Sequence, residues 1–272
     1  FEIVESDGDV EVADEIPGTP SRMLGIPPLA LLEKGYQNIQ EAELPEEPIC
    51  NICGGNSFGP GPGGRMSAET LLPPRCIHCQ SLERHRAFRS AMNMLRSEDW
   101  RSKRVLQFSE DRAVDASWFD LHDVSVYGGE NSLDLQAIDR DDESYDIVIC
   151  NHVMEHVADD QAALKELYRV VRPNGFVFLS FPDPLRRQNT NDWGYPDGRQ
   201  HGHYRVYGRD IYSRMIAVLP NATIYRSLAE DPVTKMKEMF FVFGKNPLEI
   251  DRLTARLPNY EHVNLRLARG EV

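Results

Sequence analysis

From Arg104 to Gly244 short apolar runs alternate with amphipathic ones, and no other feature of the chain restricts its fold as much. "RVLQF", "DVSVYG", "YDIVICN" and "GFVFLSFP" read as strands, rich in β-branched and aromatic residues. "DRAVDASWF", "DDQAALKELYRVV" and "RDIYSRMIAVL" read as helices, the second stopped by "RPNG". Strands separated by helices specify a mainly parallel sheet covered on both faces, because parallel neighbours need a crossover between them. "ATIYRSL" and "EMFFVFG" are joined by too few residues for a crossover helix and are expected to pair antiparallel. The result is an α/β domain over residues 91–247, with a long irregular stretch after "GFVFLSFP" and a C-terminal tail over 248–272.

A different texture precedes this domain. Cys50-x2-Cys53 and Cys76-x2-Cys79 are separated by 22 residues. Each C-x2-C turn presents two thiolates to one ion, and two turns complete a tetrahedral shell, so Cys50, Cys53, Cys76 and Cys79 are predicted zinc ligands. With four thiolates no coordination position stays open, so the zinc is structural. Two disulfides or buried thiols are the alternative. "SLERHRAFRSAMNMLRS" has apolar residues at helical spacing and leads from the cysteine unit, residues 48–90, into the main domain. Its Arg84, His85, Arg86 and Arg89 are either a solvated face or an anion grip. Cys150 lies in an apolar strand and reads as a small buried hydrophobe.

Residues 1–47 hold twelve Asp or Glu against Arg22 and Lys34, so this acidic, Pro- and Gly-broken arm carries most of the net charge of −13. The remainder is close to neutral, which weighs against general nucleic-acid affinity. No apolar run approaches a membrane span. A soluble, cytoplasmic protein without membrane partners is expected, with an oligomer possible.

"YDIVICNHVMEHVADDQAALKELYRVVRPNGFVFLSFP" closely resembles the class I S-adenosylmethionine-dependent methyltransferases of the type 11 group, at His152–His156 and at Arg169–Gly175. "CxxCxSLERHR" upstream and "HGHYRVYGRDIYSRM" downstream are similar to a zinc-knuckle subgroup of these proteins. The resemblance covers about residues 50–245. It implies a Rossmann-like seven-stranded sheet, mostly parallel with the last strand antiparallel, and S-adenosylmethionine at the carboxyl ends of the strands. By position, Glu130 would hold the ribose hydroxyls and Asp134 the adenine amino group. Asn151 and His152 would line the methyl-transfer face. Gln107 stands where many members have an acid, and Ser109, Glu110 and Asp111 replace their glycine turn.

That glycine-free turn fits the cofactor's charge. Glycines let backbone approach a pyrophosphate, but S-adenosylmethionine has no phosphate and is a net cation, which acids attract. A nicotinamide-dependent oxidoreductase is disfavoured on the same ground. Methyl transfer needs alignment first and a base only if the acceptor must lose a proton early. His152 and His203 are the candidate bases, while His156 packs or caps. Trp193, Tyr195, His201, His203, Tyr204 and Arg205, in the long stretch after the fifth strand, are the candidate wall for a small-molecule or glycan-type acceptor. A non-catalytic methyltransferase-like binding module and an RNA methyltransferase are the alternatives.

Overall fold

The computed structural model describes residues 48–68, 70–257 and 263–265. The acidic arm, residues 1–47, lies outside the described residues, as do residues 258–262 and 266–272 of the expected tail.

The cysteine unit is a small two-stranded ladder, β1 (Phe58–Gly59) and β2 (Arg75–Cys76), leading into α1 (Glu83–Leu95). The main sheet contains β3 (Arg104–Phe108), β4 (Leu121–Ser125), β5 (Tyr145–Asn151) and β6 (Val171–Ser180). It is completed by β9 (Thr223–Glu230), β10 (Lys237–Gly244) and the two-residue β11 (Val263–Asn264). Between β5 and β6 lies α2 (Asp160–Val170). A hairpin of β7 (Asn191–Asp197) and β8 (His203–Val206) follows β6, then α3 (Ile211–Val218) precedes β9 and α4 (Pro247–Thr254) follows β10.

The strand order is β11-β9-β10-β6-β5-β3-β4. β4, β3, β5 and β6 are parallel, and β10 is antiparallel to both β6 and β9, as the short link predicted. The body of the sheet is therefore six strands, and the seventh segment is a two-residue strand on the β9 edge. Residues alternate between two buried faces. Val105, Ile147, Ile149, Phe178 and Val242 pack with α1 and α4, while Leu106, Val148, Cys150, Leu179 and Phe243 pack with α2 and α3. Both faces are apolar because helices cover both. Cys150 is the buried hydrophobe expected of it, and burial pushes its thiol well above the usual range.

Gly175 shows why "RPNG" ends in glycine. A Cβ there would stand 2.5 Å from the Asp146 carbonyl oxygen and 2.8 Å from Val171 Cγ2, so the first residues of β6 close against β5 only without a side chain.

Two expectations change. "DRAVDASWF" is not an α-helix: Asp111 accepts from Ala113 N, Asp115 accepts from Ser117 N, and a three-residue 3-10 turn, Ala116–Trp118, is all that forms. Asp and Ser compete locally for backbone donors, and two such turns within seven residues leave no room for helical propagation. Conversely, the stretch read as irregular after β6 contains the β7–β8 hairpin.

Candidate active site

The chain runs from β3 to one neighbour, β4, and then to the other, β5, which makes the gap between β3 and β5 a topological switch point. Ligands of open α/β sheets bind outside the carboxyl ends of the strands at such a point. The residues leaving those ends bond across it. Asn151 Nδ2 donates to Asp111 Oδ2 at 2.9 Å, and Ser180 Oγ, at the end of β6, donates to Asn151 Oδ1 at 2.8 Å. His152 follows with φ 53°, a left-handed conformation, and its N–H donates to the Ser180 carbonyl at 2.8 Å. This kink carries the His152 side chain out of the sheet plane. Ser109 also has a positive φ, 65°, and its N–H donates to the Ser125 carbonyl, so a left-handed turn forms without glycine.

Asp111, Asn151, His152 and Ser180 line a small cleft, open to solvent on one side. Arg84 and Phe88 of α1 close one side, and Ala229, Glu238, Met239 and Phe240 close another. Glu238 and Ser180 were not singled out from sequence. Glu238 reaches this end because β10 runs antiparallel, so its start lies beside the ends of β3, β5 and β6; an acid directly before the apolar run "MFFVFG" was the available signal. Burial pushes the Glu238 carboxyl above the usual range, and Glu83 adds to this, while His152 and Arg84 oppose it.

None of the other cofactor candidates is among the residues lining this cleft. Gln107 is buried, donating through Nε2 to the Ser109 carbonyl and meeting His122 Nε2 at 2.9 Å through Oε1, so it braces the turn. Glu110, Glu130 and Asp134 are exposed, and Asp134 caps its own turn by accepting from Gln136 N at 2.9 Å. Of the arginine-rich helix, one cation reaches the cleft. Arg84 lines it, whereas Arg86 is fully buried against Asp231 and Arg89 pairs with Asp115 and covers Trp118. His85 accepts the Leu82 N–H at the start of α1.

The acceptor-wall candidates fall on the β7–β8 hairpin. Trp193 Nε1 donates to the His203 carbonyl at 2.9 Å, Tyr195 and His201 are exposed, and Tyr204 is half-buried. Arg205 differs from the expectation. It is 2% exposed, pairs with Asp192 at 2.7 Å and donates to the Val157 and Ala158 carbonyls, so it clamps the hairpin to the segment after β5. That clamp brings His203 to the 3-10 turn Met154–His156. The His156 and His203 rings meet edge to face at 4.6 Å, and candidate ligand atoms of Glu155, His156 and His203 all lie within 4.8 Å of one another. His152 Nδ1 is 3.5 Å from Glu155 Oε1. Burial holds His203 below the usual imidazole range; Glu155 opposes this and the neighbouring histidines reinforce it.

In the cysteine unit no disulfide forms. The Sγ–Sγ distances are 3.7 Å for Cys50–Cys79 and 3.6 Å for Cys53–Cys76, and all four sulfurs lie within 4.8 Å. A tetrahedron of sulfurs around one zinc at about 2.3 Å has edges of about 3.8 Å, so the set fits the ion. The two turns match. Gly54 (φ 74°) donates to the Cys50 carbonyl, and Gln80 (φ 62°) donates to the Cys76 carbonyl.

Residues 58–217 match the family described as methyltransferase domain, more than half of the chain, and the chain belongs to that family. Curated relatives include the ubiquinone biosynthesis O-methyltransferases of Rickettsia prowazekii (strain Madrid E), 31% identical over 82 residues, 28% of this chain and 32% of that protein, and of Pseudomonas savastanoi pv. phaseolicola (strain 1448A / Race 6), 45% identical over 38 residues, 14% of this chain and 16% of that protein. The chain thus spans about a third or less of the length of these relatives. Among solved structures, Burkholderia thailandensis 1,6-didemethyltoxoflavin-N1-methyltransferase with bound 1,6-didemethyltoxoflavin and S-adenosylhomocysteine is 17% identical with a TM-score of 0.41, over 58% of this chain and 77% of that one. No helix among the described residues is long and apolar enough to cross a membrane.

Proposed function

We infer that the chain binds S-adenosylmethionine at the switch point and transfers its methyl group to a small-molecule or glycan-type acceptor, with a structural zinc in the cysteine unit. The observation that carries this is the Asp111–Asn151–Ser180 hydrogen-bonded row across the carboxyl ends of β3, β5 and β6, opening on a cleft, in a chain of the methyltransferase domain family. The charge of the site supports it. No α-helix begins after β3, so the N-terminal dipole that holds a pyrophosphate is missing, whereas the Asp111 carboxylate in the cleft suits a cation.

The cofactor supplies a methyl group on a sulfonium that is already activated. Glu130 and Asp134 are the proposed acceptors for ribose hydroxyls and adenine amino group, with Gln107, Ser109 and Glu110 forming the turn beneath. Asn151 and His152 face the transferred methyl. His152 is the proposed base for an acceptor hydroxyl, with Glu155 beside Nδ1 to stabilise the imidazolium. The β7–β8 hairpin supplies the acceptor wall through Trp193, Tyr195, His201, His203 and Tyr204. The names of the curated relatives, biosynthetic O-methyltransferases of a small molecule, support that acceptor class.

Calorimetric titration tests the reading. S-adenosylmethionine and S-adenosylhomocysteine should bind and NAD should not. Glu130→Ala and Asp134→Ala should each cost about 1.5–3 kcal/mol, the scale of a hydrogen bond to a charged group. One feature favours the second reading, a binding module without turnover: the connection after β3 has neither glycine nor helix. No binding at millimolar cofactor would select it.

A further inference from the structure

The turn Met154–His156 and strand β8 bring together a carboxylate and two imidazoles. Glu155 is 1% exposed, and its Oε2 is buried with no hydrogen-bond donor. A carboxylate oxygen held away from water without a partner is strongly unfavourable, and native structures rarely keep one. Its other oxygen faces His152 Nδ1 at 3.5 Å. Through a carboxylate oxygen Glu155 also belongs to a group whose other members are His156 and His203. His156 is exposed and His203 half-buried, so the group opens to solvent on one side and is closed by Glu155 on the other.

The elements that carry these side chains are braced as a preorganised site requires. Tyr207 Oη approaches the Met154 carbonyl at 3.4 Å and Asp160 Oδ2 at 3.2 Å, which holds the turn from below. Arg205 bonds the carbonyls of Val157 and Ala158, which ties β8 to the same segment, and Trp193 fixes the His203 carbonyl.

We propose that Glu155, His156 and His203 bind a divalent transition ion of the zinc class, separate from the ion of the four cysteines. Two imidazoles and one carboxylate suit zinc, cobalt or iron(II) and not magnesium, which prefers oxygen ligands throughout. Ligands about 2.1 Å from a tetrahedral ion stand about 3.4 Å apart, so a spread of up to 4.8 Å closes by side-chain adjustment alone. Three protein ligands leave a coordination position open, as catalytic zinc sites do. An acceptor oxygen bound there would lie beside His152, and its pKa would fall, so His203 would act through the ion and not as a free base. His152, against the other oxygen of Glu155, orients the ligand carboxylate.

The test is a titration of the purified full chain, zinc-loaded as isolated, with Co2+ followed by visible absorption and by metal analysis. A cobalt equivalent with weak d–d bands and no thiolate charge-transfer band is expected, beyond the zinc retained by the cysteines. His203→Ala and Glu155→Gln should each abolish that equivalent at the cobalt concentration that saturates the unmodified chain. His152→Ala should weaken it by roughly 10–100-fold, the usual cost of losing an orienting partner. Thiolate bands would report the cysteine site separately, so an empty cysteine site is distinguishable from failure here. If Glu155→Gln does not fold, His203→Ala, on a half-buried hairpin position, decides. Cobalt uptake unchanged by the substitutions, or none outside the thiolate site, overturns the proposal.

Discussion

Arg86 and Asp231 are both fully buried and joined by two hydrogen bonds of 2.7 Å, while Arg86 Nη1 also donates to the Ser81 carbonyl beside the cysteines. Such a pair contributes little net stability, but removing one member strands the other charge in the core. Asp231→Ala should therefore cost about 3–5 kcal/mol in urea unfolding, and the double replacement Arg86→Met with Asp231→Ala should cost less than the sum of the singles. His85 carries a pH dependence. Its Nδ1 accepts the Leu82 N–H at 2.9 Å, so it must stay neutral, and burial together with the charge of Arg84 lowers its pKa to about 4. Between the unfolded value of about 6.5 and the folded value, the unfolded chain binds the proton and the folded chain does not. Stability is thus fully present above about pH 6.5 and is lost as pH falls through about 4, at a slope of up to about 1.4 kcal/mol per pH unit. His85→Gln, which keeps an acceptor and cannot titrate, should flatten unfolding free energy measured across that window.

At the scale of elements, α1 joins the cysteine unit to the cleft. Its first turn follows Cys79 and Ser81, its Arg84 and Phe88 wall the cleft, and its body packs on β9 and β10. Only part of this was legible. The apolar spacing of "SLERHRAFRSAMNMLRS" marks a helix, but the same pattern leaves its arginines looking like a solvated face, because periodicity cannot tell a surface from a contact with a distant strand. The failed helix after β3 has a local cause: Asp111, Asp115 and Ser117 close turns on themselves, and a nucleus is costly to form. In β6, Gly175→Ala should destabilise by about 1–3 kcal/mol, since its Cβ would meet backbone of β5 that cannot yield. Thermal unfolding would measure it, and an unchanged midpoint would show that the β5–β6 approach is looser than 2.5 Å.

Over the whole molecule, the thiolate cluster and the cleft are mechanically continuous: Cys50 Sγ meets Ser81 Oγ at 3.4 Å, the Ser81 carbonyl accepts from Arg86, and Arg86 holds Asp231 after β9. Stripping the cysteine-bound metal with a chelator, or Cys76→Ser, should therefore weaken S-adenosylmethionine binding as well as lower the unfolding midpoint; cofactor affinity unchanged after complete zinc loss would show that α1 holds its place without the metal. The sequence alone determined what depends on local period and spacing. Short apolar runs separated by helical patterns specified the buried parallel strands, the short β9–β10 link specified antiparallel pairing, and paired C-x2-C turns specified the four-cysteine set, since each of these is set within a few residues. Only tertiary structure decided the rest. Glu238 enters the cleft through strand direction, Arg205 turns inward to clamp carbonyls 48 and 47 residues away, and His203 meets Glu155 and His156 because of that clamp. Contacts between residues so far apart in the chain depend on how elements pack, and packing leaves no periodic trace in the residues that make it.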